Sequence, residues 1–500
     1  MSRSLRHAIA YALRPFGRHV FRSMLDPQPI VSVPVNTLVM VTGPPGSGKG
    51  AQVLTPMLAL INEPMVYMDP QREAVSDVPV RRALGRYVFV FDPRIANSAS
   101  TNVLMDTDPT SGEFRETIDL IADDLCPTGS DDAKVGEGLK YTHRALMVAI
   151  ANEVYFAAIE SRSPLLTQAV GGLSTSNMIA SMELWATEGI PAFREVAADF
   201  LFDVGADPEV ISGVSSYLQR NLSWLSDKAH ARLVTGETDE VADPYDLLGL
   251  GEPVDWFFQP GENLESTASL WRVLFGTVRR MRRSITKEQA TEVGTPTWVV
   301  IDEMPKIAGA GARTFDSMVM VDRQKGLIPV FLFQHESQIE QSFGLGVLKA
   351  WRDSAALRII LTPDAEAADE FANGCGESYR LEVDYSGDGD GAKAQSQRRW
   401  AKGRAVPQNS LMGMQLGDVT AKYTNPNKQT FVLQDTGPLF FAMPLFSRYV
   451  GWCRAAFPFQ VTEYVDSIWS FEESMLSILH SQESFSTEGT SDSCAKLESP

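Results

Sequence analysis

Leu38-Val-Met-Val-Thr42-Gly43-Pro44-Pro45-Gly46-Ser47-Gly48-Lys49-Gly50-Ala51 is the stretch that decides the fold. An apolar run, Leu38–Thr42, reads as a buried strand, a glycine-rich loop follows it, and Ala51–Leu60 reads as a helix. Strand, glycine-rich loop and helix together form the context that a Walker A phosphate loop requires. Gly43, Gly46 and Gly48 present no Cβ, so the backbone can turn its N–H groups inward around phosphate oxygens. Lys49 then sets an ammonium on the β- and γ-phosphates, and the helix N-terminus adds partial positive charge. The expected nucleotide contacts are therefore Gly43, Pro44, Pro45, Gly46, Ser47, Gly48, Lys49, Gly50 and Ala51, with ATP and Mg2+ as the bound species. Gly50 departs from the usual pattern, because a Ser or Thr hydroxyl normally ligates the metal there. Water or Asp302 has to supply that ligand instead.

Moving outward, Trp298-Val-Val-Ile301 is a second apolar run, and it ends in Asp302-Glu303. A buried strand that delivers an Asp at its carboxyl end is the Walker B arrangement, with Asp302 as the metal ligand. Glu303, beside it, is placed to polarise the attacking water. Pro329–Phe333 is a further strand, and Gln334 at its end can sense the γ-phosphate or the lytic water. His335 is the histidine nearest this group and is assigned no chemistry.

Met65–Met68, Tyr87–Phe91 and Trp256–Phe258 add three more strands, and helical patterns separate several of the six. That βα alternation predicts an α/β fold, a P-loop ATPase core on a mostly parallel sheet. Between about 110 and 250 the pattern turns helical, with Tyr141–Ile159, Ser176–Ala186, Ile190–Phe202 and Pro208–Leu225 clearest, so an all-α domain is expected as an insertion. The expected division is a basic N-terminal helical segment (1–36), a nucleotide-binding domain (37–108 and 250–470), the all-α insertion (109–249) and a polar, Ser-rich disordered tail (471–500).

The net charge of −19 over 500 residues excludes a surface basic all round, although a local groove can still meet nucleic acid. Four scattered cysteines form no C-x-x-C pair, which argues against a zinc framework or disulfide scaffold and for a reducing cytoplasm; no structural metal is expected. No apolar run reaches the length needed to span a bilayer. In residues 1–25 five arginines and no acid accompany Leu5, Ile9, Leu13, Phe16 and Val20 at helical spacing, a basic amphipathic pattern. It suits either a membrane surface, a partner, or packing on its own domain.

These residues resemble the type IV secretion coupling proteins, within the FtsK/HerA clade of pumps. The loop ends Gly46-Ser-Gly-Lys-Gly50, as that family's often does, so Gly50 is a family habit. Met68-Asp-Pro-Gln-Arg-Glu73 is similar to its "DPKGE" turn, with Gln and Arg for Lys and Gly. Val90-Phe-Asp-Pro93, Asn102-Val-Leu104, Asp255-Trp-Phe-Phe-Gln-Pro260, Ile301-Asp-Glu-Met-Pro305, the Gln334-x-x-x-Gln338-Ile339 run and Phe371-Ala-Asn-Gly-Cys-Gly376 follow in the family's order. The resemblance implies a RecA-like core working as a homo-oligomer, a ring hexamer, with sites between subunits. It implies that Arg323 is the arginine donated to a neighbour's site, with Arg313 and Arg352 as competitors. The implied partners are DNA or a relaxase–DNA complex and secretion-channel components at the inner membrane. The implied function is ATP-driven delivery of DNA, nucleoprotein or protein substrates to that channel, from a cytoplasmic or peripheral inner-membrane location. The rival readings are a free DNA translocase or helicase and a non-hydrolysing scaffold.

Three further stretches carry expectations. Asp384–Gln397 reads as an exposed loop. The basic runs Arg279, Arg280, Arg282, Arg283, Lys287 and Arg398, Arg399, Lys402, Arg404 with Trp400 read as solvated surface or as phosphate contacts.

Overall fold

The computed structural model describes residues 19–22, 29–32, 37–47, 49–54, 57–58, 61, 63–70, 78–83, 85–127, 133–204, 207–261, 264–285, 295–308, 313–361, 369, 377–386, 395–404, 418–423 and 439–442. Strands β1 (His19–Arg22) and β2 (Pro29–Ser32) form an antiparallel pair of their own. The main sheet begins with β3 (Leu38–Thr42), β4 (Met65–Met68) and β5 (Tyr87–Phe91). It continues with β6 (Val254–Phe258), β7 (Thr297–Ile301), β8 (Leu327–Phe333) and β9 (Ala355–Leu361). After the antiparallel pair β10 (Glu377–Ser386) and β11 (Gln395–Arg404), strands β12 (Asp418–Tyr423) and β13 (Leu439–Ala442) close its far edge. The order is β13-β12-β9-β3-β8-β7-β4-β6-β5. From β9 to β5 every pairing is parallel, and β12 and β13 add antiparallel.

Strand periodicity splits the apolar residues between two cores. Val39, Val41, Val300, Val330 and Ile359 enter one. Leu38, Met40, Val66, Ile301 and Phe331 enter the other. Both faces of the central strands are thus covered, which is why these strands read as continuous apolar runs rather than alternating ones.

A short helix α1 (Val78–Ala83) precedes β5. Between β5 and β6 the chain is helical, through α2 (Phe114–Leu125), α3 (Ala133–Ile159), α4 (Leu166–Gly171), α5 (Met178–Glu188), α6 (Pro191–Val204), α7 (Pro208–Leu222) and α8 (Lys228–Ala231). Asp207 caps α7 by accepting from Glu209 N (2.9 Å), with Pro208 at the first helical position. Helix α9 (Ala268–Ser284) covers the sheet after β6. Short helices α10 (Pro305–Ala308) and α11 (Arg313–Met320) follow β7, and α12 (Ser337–Phe343) and α13 (Leu345–Ser354) link β8 to β9. The apolar core on the α9 side runs without a break from the sheet into the helical segment.

Several stretches differ from the sequence expectation. β9 follows α13 directly at Ser354/Ala355, with no turn residue between them and Arg358 inside the strand, so its pattern merges with the helix. Asp384–Ser386 and Gln395–Gln397 belong to paired strands rather than to a loop; ladder pairing overrides their polar composition. The second basic cluster, Arg398–Arg404, lies on β11 of that pair. At the amino end, His19–Arg22 is strand rather than helix, while residues 1–18 and the tail 471–500 lie outside the described residues. Among the described residues no helix is long and apolar enough to cross a membrane.

In the first basic run Arg279, Arg280, Arg282 and Arg283 are neither solvated nor poised for phosphates, because interior acids, carbonyls and a hydroxyl claim their guanidinium groups, while Lys287 lies outside the described residues. Arg279 and Arg282 on α9 are buried. Arg279 Nε donates to Asp322 Oδ2 (2.6 Å), and Arg283 Nε to Asp322 Oδ1 (2.5 Å). Arg280 donates to Val103 O (3.0 Å), and Arg282 to Thr295 O (2.9 Å). A second internal ion cluster sits at the start of β6. Asp255, wholly buried, accepts from Arg81 Nε (2.8 Å), Arg86 Nε (2.8 Å) and Met65 N (2.9 Å).

Candidate active site

Parallel strands place all their carboxyl ends on one edge, where open α/β sheets hold their ligands. At that edge β8 lies between β3 and β7. The loop after β3, Gln334 after β8 and Asp302-Glu303 after β7 therefore stand side by side, three neighbouring strand ends about 4.8 Å apart in the hydrogen-bonding direction.

The loop after β3 is anchored at both ends. Gly43 N donates to Phe333 O (3.2 Å) at the end of β8, and Ser47 N to Pro44 O (3.2 Å). Gly46 turns at φ +76°, where glycine is at ease and L side chains are not. A Cβ on Gly43 would stand 2.5 Å from Ser47 Oγ and 2.9 Å from Leu361 Cβ. Gly43→Ala is therefore expected to destabilise the chain by about 1–3 kcal/mol, read from equilibrium unfolding in urea; an unchanged midpoint would mean that the loop yields freely.

Ser47 Oγ is buried and finds no hydrogen-bond partner among the described residues. Gly48 lies outside the described residues, as does the Ala51 side chain. From Lys49 to Leu54 the helix is wound in the wider π form before helical winding at Met57 and Leu58. Pro56 has no N–H to offer the Gln52 carbonyl four residues back, so regular α winding is interrupted here.

Lys49 Nζ donates to Gly43 O (2.5 Å) and Pro44 O (3.3 Å), closing the loop on itself. Burial pushes its ammonium below the ordinary lysine value, while the nearby Asp302 and Glu303 carboxylates pull it back up. Lysine and acid pair thus share one electrostatic neighbourhood, although some 250 residues separate them in sequence.

Asp302 is fixed at the strand end by its N–H, which donates to Met68 O (3.2 Å), and its Oδ1 accepts from Glu303 N (3.0 Å). Glu303 holds φ +53°, a left-handed backbone that is rare outside glycine and costs about 1–3 kcal/mol. This twist directs Glu303 between two neighbours: Gln334 Nε2 at 3.5 Å from Oε1, and the Lys306 ammonium, which pairs with Oε2. Sequence reading missed Lys306, whose only signal is its three-residue spacing from Glu303 on the following helical turn.

Gln338 was legible as part of the Gln334-x-x-x-Gln338 spacing, and its task is now visible. Its Oε1 accepts from Gln334 N (3.0 Å) and His335 N (3.3 Å), which holds the Gln334 turn in place. His335 is exposed at its rim.

Arg323 is elsewhere. It lies in the tight turn Asp322–Lys325 before β8, at the amino edge of the sheet. The seven residues of β8 separate it from Gln334, roughly 23 Å at strand rise. Arg323 Nη1 donates to Ser354 O (3.1 Å), Nε has no partner among the described residues, and burial pushes the guanidinium below its ordinary value. Of its competitors, Arg352 Nε donates to Glu336 Oε2 (2.6 Å), an acid that also binds Arg358, and the Arg313 side chain lies outside the described residues.

The residues at the carboxyl edge fit a nucleotide with a hard divalent cation. The cradle has no room for a Cβ at Gly43, the buried Ser47 hydroxyl has no partner among the described residues, and the acid pair offers only oxygen donors. Among the described residues no group of three or more His, Cys, Asp or Glu could hold a metal ion unaided. A cation here would need phosphate oxygens and water to complete its shell.

Comparison with known proteins places this architecture. The fold is similar to the bacterial conjugative coupling protein TrwBdeltaN70 in an unbound form, with a TM-score of 0.57 at 14% identity over 82% of this chain and 85% of that one. The plasmid coupling protein TrwB in complex with ADP and Mg2+ gives 0.55 at 14% identity over 82% and 85%. The same protein with a non-hydrolysable ATP analogue gives 0.54 at 15% identity over 82% and 86%. At such identities these likenesses speak for the fold, an α/β RecA-like P-loop core. No curated protein matches the sequence. The family model described as type IV secretory system conjugative DNA transfer matches residues 27–406, most of the chain, so the chain belongs to that family.

Proposed function

We propose that the chain is an ATP-hydrolysing coupling protein that delivers DNA or nucleoprotein to a type IV secretion channel. One observation carries the reading: the loop that bears Lys49, Gln334 and the Asp302–Glu303 pair follow the carboxyl ends of three adjacent parallel strands. In this reading the loop from Gly43 to Ala51 wraps the phosphates, and Lys49 exchanges its loop carbonyls for the β- and γ-phosphates. Asp302 and water hold Mg2+, which neutralises charge on the phosphates when bound. Glu303 takes the proton of the attacking water, and Gln334 orients that water. TrwB structures with ADP and Mg2+ support the same ligands for this fold.

Arg323 cannot reach the site of its own chain, so a neighbouring copy in a homo-oligomer, a hexameric ring, is its proposed beneficiary. Residues 109–249 are the proposed recognition domain, inserted into a nucleotide-binding domain of 37–108 and 250–470.

The test is phosphate release from Mg-ATP by the purified chain, with and without single-stranded DNA. Turnover that DNA raises is expected; a chain that neither binds nor hydrolyses ATP under either condition would end the reading. Gly50 supplies no hydroxyl, so the metal leans on Asp302. Asp302→Asn is expected to raise the Mg2+ concentration for half-maximal turnover roughly 10- to 100-fold. A magnesium titration that superimposes on the wild type would remove Asp302 from the metal.

A further inference from the structure

The chain's interior holds a line of ion pairs that neither the phosphates nor the acid pair explains. It starts at Asp124, the penultimate residue of α2, in the helical segment. The Asp124 carboxylate is buried, accepts Thr314 Oγ1 from α11, and lies 3.6 Å from Arg279 Nη1 and 3.5 Å from Arg280 Nη1. Arg279 turns its Nε to Asp322 Oδ2 (2.6 Å), and Asp322 is the first residue of the turn that carries Arg323. Arg283 grips the other oxygen of the same carboxylate (2.5 Å). A branch runs through Arg272, whose Nε donates to the Asp124 carbonyl (2.8 Å) and whose Nη1 donates to Ile307 O (3.2 Å) in α10, directly behind Asp302-Glu303.

A second, independent feature marks Asp124 as a designed contact. Gly276 sits in the middle of α9, where glycine is the least favourable residue after proline. A Cβ there would overlap the Asp124 carboxylate and contact no solvent. The helix gives up its own propensity to admit this one side chain.

We infer that Arg279 and Asp322 are positioning residues for Arg323, and that Asp124 extends their hold to the helical segment. The inference rests on the reading of Arg323 as the residue that serves a neighbour's nucleotide. Asp322 is clasped by two guanidinium groups and has no solvent contact, so the backbone next to Arg323 has one arrangement while the clasp is intact. Among the described residues the Arg323 guanidinium is hydrogen-bonded by Ser354 O alone, so its aim depends on that backbone. Any shift of α2 relative to α9 pulls on Arg279 directly. The helical segment and the arginine at the far edge of the sheet are thereby parts of one mechanical unit.

The test uses the full chain with Asp322→Asn, Gly276→Ala and Arg323→Ala, singly and combined, in DNA-stimulated ATP turnover. Nucleotide affinity and thermal midpoint are measured in parallel. Asp322→Asn and Gly276→Ala are each expected to lower kcat roughly 10- to 100-fold while KM and nucleotide affinity stay near wild type. Neither is expected to lower kcat further in the Arg323→Ala background, because residues acting as one unit are not additive. A purely structural role would instead reduce the folded fraction and leave kcat per folded chain unchanged. Should Asp322→Asn fail to fold, Arg279→Lys, which keeps the charge and loses the fork, takes its place with the same expectation. A large loss in Arg323→Ala beside normal turnover in the other variants would overturn the positioning role alone. Normal turnover in Arg323→Ala would overturn both that role and the trans assignment of Arg323.

Discussion

Glu303→Gln is expected to bind ATP as the wild type does and to hydrolyse it roughly 10²- to 10⁴-fold more slowly. The amide keeps the size of the carboxylate and can hold the same left-handed backbone, so the geometry around φ +53° is retained. What it loses is the ability to take a proton from water at the atom that Gln334 Nε2 approaches within 3.5 Å. Its partner Lys306 would lose an ion pair at a half-exposed position, which is worth little to stability. Lys49→Ala is the contrasting variant, expected to fail at binding because it removes the cation proposed to face the phosphates. Single-turnover phosphate release beside equilibrium binding of a fluorescent ATP analogue separates the two. Hydrolysis by Glu303→Gln at the wild-type rate would dismiss Glu303 as the base.

The second large effect lies in stability. Asp255→Asn is expected to cost about 3–5 kcal/mol, because it leaves the guanidinium groups of Arg81 and Arg86 buried without their shared counter-charge. Burial pushes the Asp255 carboxyl up, but the attraction and hydrogen bonds of the two arginines outweigh it, and the net direction is down. A carboxyl lowered on folding stabilises above its unfolded value and loses that contribution as pH falls through the folded one. The wild type is therefore expected to weaken below about pH 3.8, the unfolded value, where the variant, having no carboxyl at this position, changes less. Urea unfolding of both proteins across pH checks this; parallel pH profiles would mean that Asp255 does not carry the charge.

The candidate site was legible because its elements are local in sequence. A phosphate loop and an acid-ended strand are contiguous strings whose residue types are dictated by φ, by close approach and by charge. Five of the six strands were legible because burial on both faces makes them unbroken apolar runs, and edge strand β5 because its partly exposed positions are aromatic and β-branched. Neither principle finds Asp255 with Arg81 and Arg86, since a pairing across some 170 residues leaves no spacing to read. The basic run of α9 misled for a related reason: charge suggests solvent until the groups that claim it, Asp124, Asp322 and the carbonyls around Arg282, are seen to arrive from other elements. β9 was hidden by its direct junction with α13, and the polar ends of β10 and β11 by a composition that suits turns as well as ladders.

Because β8 separates Arg323 from Gln334, the proposed trans role of Arg323 would make each chain a donor at one rim of its sheet and a recipient at the other. With Arg323 serving a neighbour, a two-fold pair would need one self-complementary patch broad enough to cover both rims. Head-to-tail contact needs each rim only once, and it repeats until the array closes. Every subunit would then fire only when the one behind it is correctly seated, so an isolated chain would bind nucleotide and idle. Turnover per chain should accordingly rise with protein concentration.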